Sequence, residues 1–323
     1  MLSQVSEVKG ANVPELRWET ELLLSRTRPR SYFLATVTSN LIGYLAHPHA
    51  SLSLPAVEAI SRNPILFNQA PALDTVLTKL STFIDTASSW PSSDSSSKDQ
   101  VKEVLSSTVI PYIKSRFVPV TQQQPLPSAT PEILAPWAQA TSVLADVLPA
   151  ASLFPVIDLW RLTLLDPAVG TWISSAPSSQ DPIKMFFDKC VDDPTAVQHR
   201  SYVLTLLRLL SNAFSNPVLS RRLLREYKGT MTTNILVPNL ANGDATVRTT
   251  AATLAFNVAG WVQRGRAARI PGPRMGDEGM LESEEDGDWE VEMMLAVMNA
   301  IGQEDASEDV GGCIPIFAPS LVG

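Results

Sequence analysis

The sequence contains few of the residues on which metal and thiol chemistry depends. Its 323 residues include two cysteines and three histidines. Cys190 and Cys313 lie too far apart for a C-x-x-C dithiol, and they provide too few ligands for a cysteine-rich zinc site. His47 and His49 have no further ligand nearby, so we expect no metal site. The low cysteine count predicts a reducing compartment and no disulfide framework.

Motifs of other enzyme classes are also missing. The chain has no G-x-x-x-x-G-K-[ST] phosphate loop and no G-x-S-x-G elbow. Acidic neighbours of Cys190 should raise the pKa of its thiol, which makes it a poor nucleophile. Asp192, Asp193 and the acidic run 282–288 have no predicted pocket against which general acid–base catalysis could hold them. We therefore expect no catalytic residue, no cofactor and no enzymatic activity.

Aromatic residues are scarce, at 7%, and charge is distributed unevenly along the chain. Residues 100–274 hold 17 Lys or Arg against 11 Asp or Glu, whereas residues 275–323 hold 13 acids and no base. Helical arrays with a basic surface bind anionic partners. Because the aromatic side chains that would stack on bases are few, an acidic peptide is favoured over nucleic acid.

The start of the chain has no pattern typical of a secretory signal peptide. The one candidate membrane segment, 32–45, is too short to cross a bilayer and is interrupted by Thr, Ser, Asn and Gly. We therefore expect no membrane partner and a cytoplasmic or nuclear location.

Apolar residues at helical spacing fill the middle of the chain. In the stretch 202–214 they fall at 203, 204, 206, 207, 210 and 214, which predicts a helix with a wide buried face. Asn216 and Pro217 suit the cap and first turn of the next helix, and Asp244 suits the cap of another. A third segment, MTTNILVPNL, is expected to end at Pro238. Four helices with short links and no strand signal predict an all-α fold.

Similar residues recur at a fixed spacing. Arg161 and Arg208 are 47 residues apart in similar leucine-rich helices, and Asn212 and Asn257 are 45 apart. Periods of about 40–47 residues are typical of HEAT and armadillo repeats, each of which buries its apolar face against a neighbour. The spacing therefore predicts an armadillo-like or HEAT-like helical repeat array.

Three motifs in this order, FPVIDLWRLTLLDPAV, LLRLLSNAF and VRTTAATLAFNVA, resemble the PUL domain of the phospholipase-activating protein family. The resemblance covers residues 131–310 and implies an armadillo-like domain. In that family the domain docks on the C-terminal tail of the AAA ATPase known as valosin-containing protein. The resemblance therefore implies a non-enzymatic adaptor in ubiquitin-dependent protein handling, with ubiquitin-pathway proteins as further partners.

The remaining segments suggest a domain order seen in fungal thioredoxin–PUL proteins. Residues 1–24 resemble the last piece of a thioredoxin domain, and residues 25–87 are expected to be linking helices. Residues 88–130 are expected to be a Ser/Pro-rich linker with one helix that ends at Pro111. Residues 311–323, GGCIPIFAPSLVG, replace the family's last helix, so we expect the array to be truncated at its C-terminal end.

Five arginines are the predicted partner-binding residues: Arg161, Arg208, Arg221, Arg222 and Arg248. Arg161 lies within the family motif, and the family's groove is basic. Its guanidinium is expected to grip a carboxylate or a backbone carbonyl of an acidic ATPase tail. Arg248 also fits an ordinary surface residue.

Two other functions remain open at this point. The chain could be a fragment of a thioredoxin-fold oxidoreductase, which predicts a C-x-x-C motif encoded upstream. It could also be a generic armadillo-like scaffold with another partner, which predicts no binding of an acidic ATPase tail.

Overall fold

Helices form the regular structure throughout the described parts of the chain. The computed structural model describes residues 63–90, 95–117, 127–193, 195–268 and 288–303, and no strand occurs among them. The segments predicted as a thioredoxin remnant (1–24) and as an aberrant tail (311–323) lie outside the described residues, as do residues 25–62 of the predicted linking segment.

The described residues form twelve α-helical stretches, α1 to α12 in chain order, and two π-helical stretches. They are α1 Leu73–Thr86, α2 Ser95–Glu103, the π-helical Val104–Val109, α3 Ile110–Phe117, α4 Pro131–Val147, α5 Ala150–Thr163, α6 Pro167–Ser175, α7 Pro182–Asp192, α8 Arg200–Ala213, α9 Pro217–Glu226, the π-helical Thr230–Leu236, α10 Val237–Leu240, α11 Ala245–Ala268 and α12 Asp288–Gln303.

The order of helix packing repeats along the chain. Helix α8 packs between α5 and α11, the short helix α6 packs on α9, and α7 packs on α4. Helices α6, α7 and α8 therefore form one three-helix unit, and α9, α10 and α11 form the next. Each unit covers the apolar face of its neighbour, as expected for a repeat array. The predicted all-α helical repeat fold is confirmed.

The segments before α4 belong to the same core as the repeats. Leu80 of α1, Leu105 of the π-helical stretch and Ile113 of α3 belong to a core that also contains Trp137 of α4. The stretch 88–130 was predicted as a linker around one helix, but α2 already begins at Ser95 and so includes part of the serine-rich sequence. The serines form helix here because the apolar residues that follow dock the whole segment on α4.

Pro111 and Pro238 do not end their helices, which corrects the prediction at both positions. Helix α3 continues past Pro111 to Phe117, and α10 continues past Pro238 to Leu240. In both cases π-helical turns lie immediately before the helix that contains the proline. A proline in a regular α-helix would clash with the carbonyl four residues earlier, and the wider π-helical turns move that carbonyl away.

Three helices begin with an acidic or amide cap followed by proline. Asp166 accepts a hydrogen bond from the Ala168 N–H at the start of α6, and Asp181 caps α7 in the same way. Asn216 accepts from the N–H groups of Val218 and Leu219 at the start of α9, as its sequence position predicted. These caps fix where each three-helix unit turns.

Asn216 also holds α9 against α6. Its Nδ2 donates to the carbonyl of Pro167 over 2.9 Å. The approach requires a glycine at position 170, since a Cβ there would lie 2.7 Å from the Asn216 Cβ. Helices α6 and α9 can therefore pack this closely only because Gly170 has no side chain.

Asp166 ties the first helices to the array. Its carboxylate is buried and accepts hydrogen bonds from the Tyr112 hydroxyl (2.7 Å) and the Ala129 N–H (2.7 Å), and it pairs with Arg116 at 3.2 Å. Burial alone would raise the pKa of Asp166, but these donors and its helix cap outweigh that effect and lower the pKa below its ordinary value.

Candidate functional site

An extended segment at residues 65–69 crosses three neighbouring helices of the array, α11, α8 and α5. Ile65 is bound by Asn257 of α11, because its N–H donates to Oδ1 (2.8 Å) and its carbonyl accepts from Nδ2 (2.9 Å). Phe67 is bound by Asn212 of α8 in the same way, at 2.7 Å and 3.0 Å. Residues at a spacing of two therefore present both backbone groups to the array, as in a β-strand.

Arg161 of α5 continues this series. Its Nη1 donates to the carbonyl of Phe67, and its Nη2 donates to the carbonyl of Gln69 over 3.0 Å. Its Nε donates to Asp158 over 2.6 Å. We call the surface formed by Arg161, Asn212 and Asn257 the ladder face. The predicted grip of Arg161 on a backbone carbonyl is thus made within the chain, on the 65–69 segment.

Arg208 lies beside the same segment but is bound differently. Its guanidinium is 5.4 Å from the centre of the Phe67 ring, close enough for a cation–π contact. Its Nε is buried and has no hydrogen-bond partner, and no ion pair to Arg208 occurs within the described residues. Burial, together with the nearby positive charge of Arg161, lowers the pKa of Arg208. Arg208 is therefore a half-buried cation that forms no ion pair within the described residues.

The other three predicted arginines lie elsewhere. Arg222 is buried and pairs with Asp181 (2.9 Å) and Glu226 (2.8 Å), and it also donates to the carbonyl of Ile173. Its donors are used inside the protein, so we exclude it from the site. Arg248 donates to the carbonyl of Asn242, over 2.8 Å, in the turn before its own helix.

Arg221 is exposed, and no hydrogen bond or ion pair of its side chain occurs among the described residues. Arg161 and Arg208 are therefore the two predicted residues that the structure brings together, through their common contact with Phe67.

Sequence reasoning missed the two asparagines and the segment that they bind. The sequence indicates that Asn212 and Asn257 occupy equivalent repeat positions, but it assigns them no function. A polar amide at equivalent buried positions of two helices is the signal that could have identified them, because buried amides need hydrogen-bond partners. Nothing in the sequence pointed to residues 65–69 as the partner.

Cys190 is buried in α7 and unpaired with another cysteine. Its thiol contacts the Tyr202 hydroxyl at 3.6 Å. Burial raises its pKa to about 11, and the negative charge of Asp193 adds to the effect. The thiol is therefore protonated at neutral pH and poorly placed for nucleophilic chemistry.

No group of three or more His, Cys, Asp or Glu side chains that could hold a metal ion occurs in the described part of the chain. Across the same residues, no helix combines the length and apolarity required to cross a bilayer.

The helical repeats and the arginine-containing motif helices agree with a known family. The family model for the PUL domain matches residues 61–311. The chain belongs to the PUL domain family. The match includes the 65–69 segment and helices α1 to α3 as well as the repeats. No curated protein and no solved structure matches the chain. PUL domains are protein-interaction modules rather than catalytic domains.

Proposed function

We propose that this PUL domain binds the acidic C-terminal tail of a valosin-containing-type AAA ATPase beside its ladder face. In this role it acts as an adaptor in ubiquitin-dependent protein handling in the cytoplasm or nucleus. Membership of a family of protein-interaction modules supports binding of a protein partner. The choice of an acidic peptide rests on the chemistry of Arg208.

Arg208 carries the proposal because its guanidinium forms no ion pair within the described residues. Its Nε is buried without a hydrogen-bond partner, and its pKa is lowered by burial and by Arg161. A carboxylate beside the guanidinium would provide an ion-pair partner and relieve the repulsion from Arg161. An acidic side chain or a terminal carboxylate of a peptide therefore fits this position better than a neutral group does.

The surroundings of Arg208 suit a peptide rather than a small anion. The ladder face already binds an extended stretch of backbone, residues 65–69, by hydrogen bonds to every second residue. Asn68 and Gln69 in that stretch are exposed. A tail that runs beside the segment would therefore place its carboxylate at Arg208.

The test is calorimetric titration of the ATPase tail peptide against wild type, Arg208→Ala and Arg208→Lys, with Arg221→Ala as the matched control. Loss of one charge-assisted contact typically costs about 1.5–3 kcal/mol, so Arg208→Ala should bind about tenfold to a hundredfold more weakly. Arg208→Lys should recover part of the affinity, because it restores the charge without the planar fork. Arg221→Ala should bind like wild type.

Two results would contradict different parts of the proposal. Wild type that fails to bind the tail would favour a scaffold with another partner. Equal affinities of wild type and Arg208→Ala would remove Arg208 from the site while leaving the partner in place. Affinity should also fall with rising salt, since the proposed contact is between opposite charges.

A further inference from the structure

Asn212 and Asn257 bind the 65–69 segment through its backbone alone. Each amide accepts from the N–H and donates to the carbonyl of a single residue, Phe67 or Ile65. Neither bond involves a side chain of the segment. The two asparagines therefore fix where the segment lies and which way its side chains project, whatever those side chains are.

Both amides are themselves held rigidly by the array. The Nδ2 of Asn212 also donates to the carbonyl of Arg161 over 3.0 Å, and that of Asn257 donates to the carbonyl of Ser211 over 3.1 Å. Both side chains are buried. With its oxygen and both amide hydrogens engaged, each asparagine has one orientation, and the segment can dock in only one register.

The register determines which side chain meets Arg208. With Phe67 bound by Asn212 and by Arg161, its ring lies 5.4 Å from the Arg208 guanidinium. The ring offers no hydrogen-bond acceptor, so Arg208 is held in place while its Nε stays unpaired. A shift of the segment by one residue would put Leu66 or Asn68 there, and the amide oxygen of Asn68 could occupy the guanidinium.

We propose that Asn212 and Asn257 are positioning residues for partner binding: they lock the 65–69 segment so that Phe67 supports Arg208 and leaves its guanidinium available to the partner's carboxylate. This inference rests on the proposed function, since it takes Arg208 as the anchor. The locked segment is then one side of the binding site, and loosening it weakens binding.

The direction in which loosening the 65–69 segment changes the affinity for the tail distinguishes a positioning role from a competing one. If the segment instead occupied the position that the partner needs, it would be an internal competitor. Loosening the segment would then strengthen binding, because the partner would no longer have to displace it. Weaker binding supports positioning, and stronger binding overturns it.

The perturbation is Ile65→Pro, which removes the N–H that Asn257 accepts and alters no residue of the array. The Ile65 side chain is 39% exposed and lies outside the buried core, so the fold should be retained. Asn68→Pro is the matched control, because the Asn68 N–H makes no hydrogen bond within the described residues. Loss of one hydrogen bond that fixes the register should weaken tail binding about threefold to tenfold in Ile65→Pro. Asn68→Pro should bind like wild type.

A double-mutant cycle tests whether the segment acts through Arg208. If it does, Ile65→Pro should cost little further affinity in the Arg208→Ala background, so the two losses should not add. A merely structural effect of the proline would add to the loss from Arg208→Ala. Phe67→Ala gives a second route, since it keeps the backbone bonds and removes the ring that supports Arg208; it too should weaken binding and be coupled to Arg208→Ala.

The outcomes for the two proposals differ. Wild type that does not bind the tail overturns the proposed function and this inference with it. Wild type that binds, with Ile65→Pro and Phe67→Ala binding equally well or more tightly, overturns the inference alone. The hydrogen-exchange rate of the Ile65 and Phe67 amides in wild type gives a check without the partner. Both should be protected relative to Asn68.

Discussion

Arg222 and Arg221 are neighbours in the sequence, and the structure predicts opposite consequences of replacing them. Arg222→Ala should lower the free energy of unfolding, whereas Arg221→Ala should change it little. The side chain of Arg222 is 9% exposed and its partner Asp181 is 1% exposed, at a distance of 2.9 Å. Arg221 lies on the exposed side of the same helix.

The magnitude follows from what Arg222→Ala would leave behind. Asp181 would lose its buried counter-charge, although it would keep the Tyr227 hydroxyl at 3.0 Å and its helix-capping N–H groups. The carbonyl of Ile173 would lose the Arg222 donor and keep only the Ala176 N–H at 3.2 Å. Breaking one partner of a buried ion pair costs about 3–5 kcal/mol. With a urea dependence of about 2–3 kcal/mol per molar, the midpoint should fall by about 1–2.5 M.

Urea unfolding followed by circular dichroism measures this directly. Arg221→Ala is the control and should stay within about 0.5 kcal/mol of wild type. The double variant Asp181→Asn with Arg222→Met should lose less stability than the two single changes together, because no unpaired charge remains. Equal urea midpoints for Arg221→Ala and Arg222→Ala would refute the assignment of Arg222 to the core. If Arg222→Ala kept its stability and alone lost tail binding, Arg222 would belong to the partner site.

Three other outcomes are expected. Cys190, with its pKa raised to about 11, should react with a thiol reagent only after unfolding, and rapid labelling of the native protein would contradict its burial. Asp166 has a lowered pKa, so its stabilising contribution is present above its ordinary pKa and is lost as pH falls through the lower value of the folded state. The difference in melting temperature between wild type and Asp166→Asn should therefore shrink from about pH 7 to about pH 2.5, and a constant difference would argue against the paired carboxylate. Gly170→Ala should destabilise the fold by about 1–3 kcal/mol, measured by urea unfolding, because its Cβ would meet the Asn216 Cβ; an Asn216→Gly background, which has no Cβ at that position, should tolerate it better.

Local sequence patterns predicted the helices and their repeat. The leucines of α8 and α9 recur at helical spacing, and the spacings from Arg161 to Arg208 and from Asn212 to Asn257 match one repeat unit. These features depend on residues close together in the chain or on a simple period. The helix caps are also local, since Asn216 accepts hydrogen bonds from Val218 and Leu219, the two residues that follow Pro217.

Local sequence rules mispredicted the two helix ends that they placed at prolines. Pro111 and Pro238 are ordinary stop signals, and the chain passes both by widening the preceding turns into a π-helical register. That choice is made by packing, because continuing the helix keeps side chains such as Ile113 and Leu240 in the core. Sequence alone gives the cost of the proline but not the burial that offsets it.

The site itself depends on contacts between distant parts of the chain. Asn212 lies 145 residues from Phe67, and Asn257 lies 192 residues from Ile65. No periodic pattern can reveal such a pair, because the extended segment has no period of its own and is bound only by its backbone. The repeat that places Arg161 and Arg208 on equivalent helices of neighbouring units follows from sequence spacing alone. That Arg161 binds the 65–69 segment, and that the Nε of Arg208 has no acceptor among the described residues, depends on which groups the fold brings within hydrogen-bond distance.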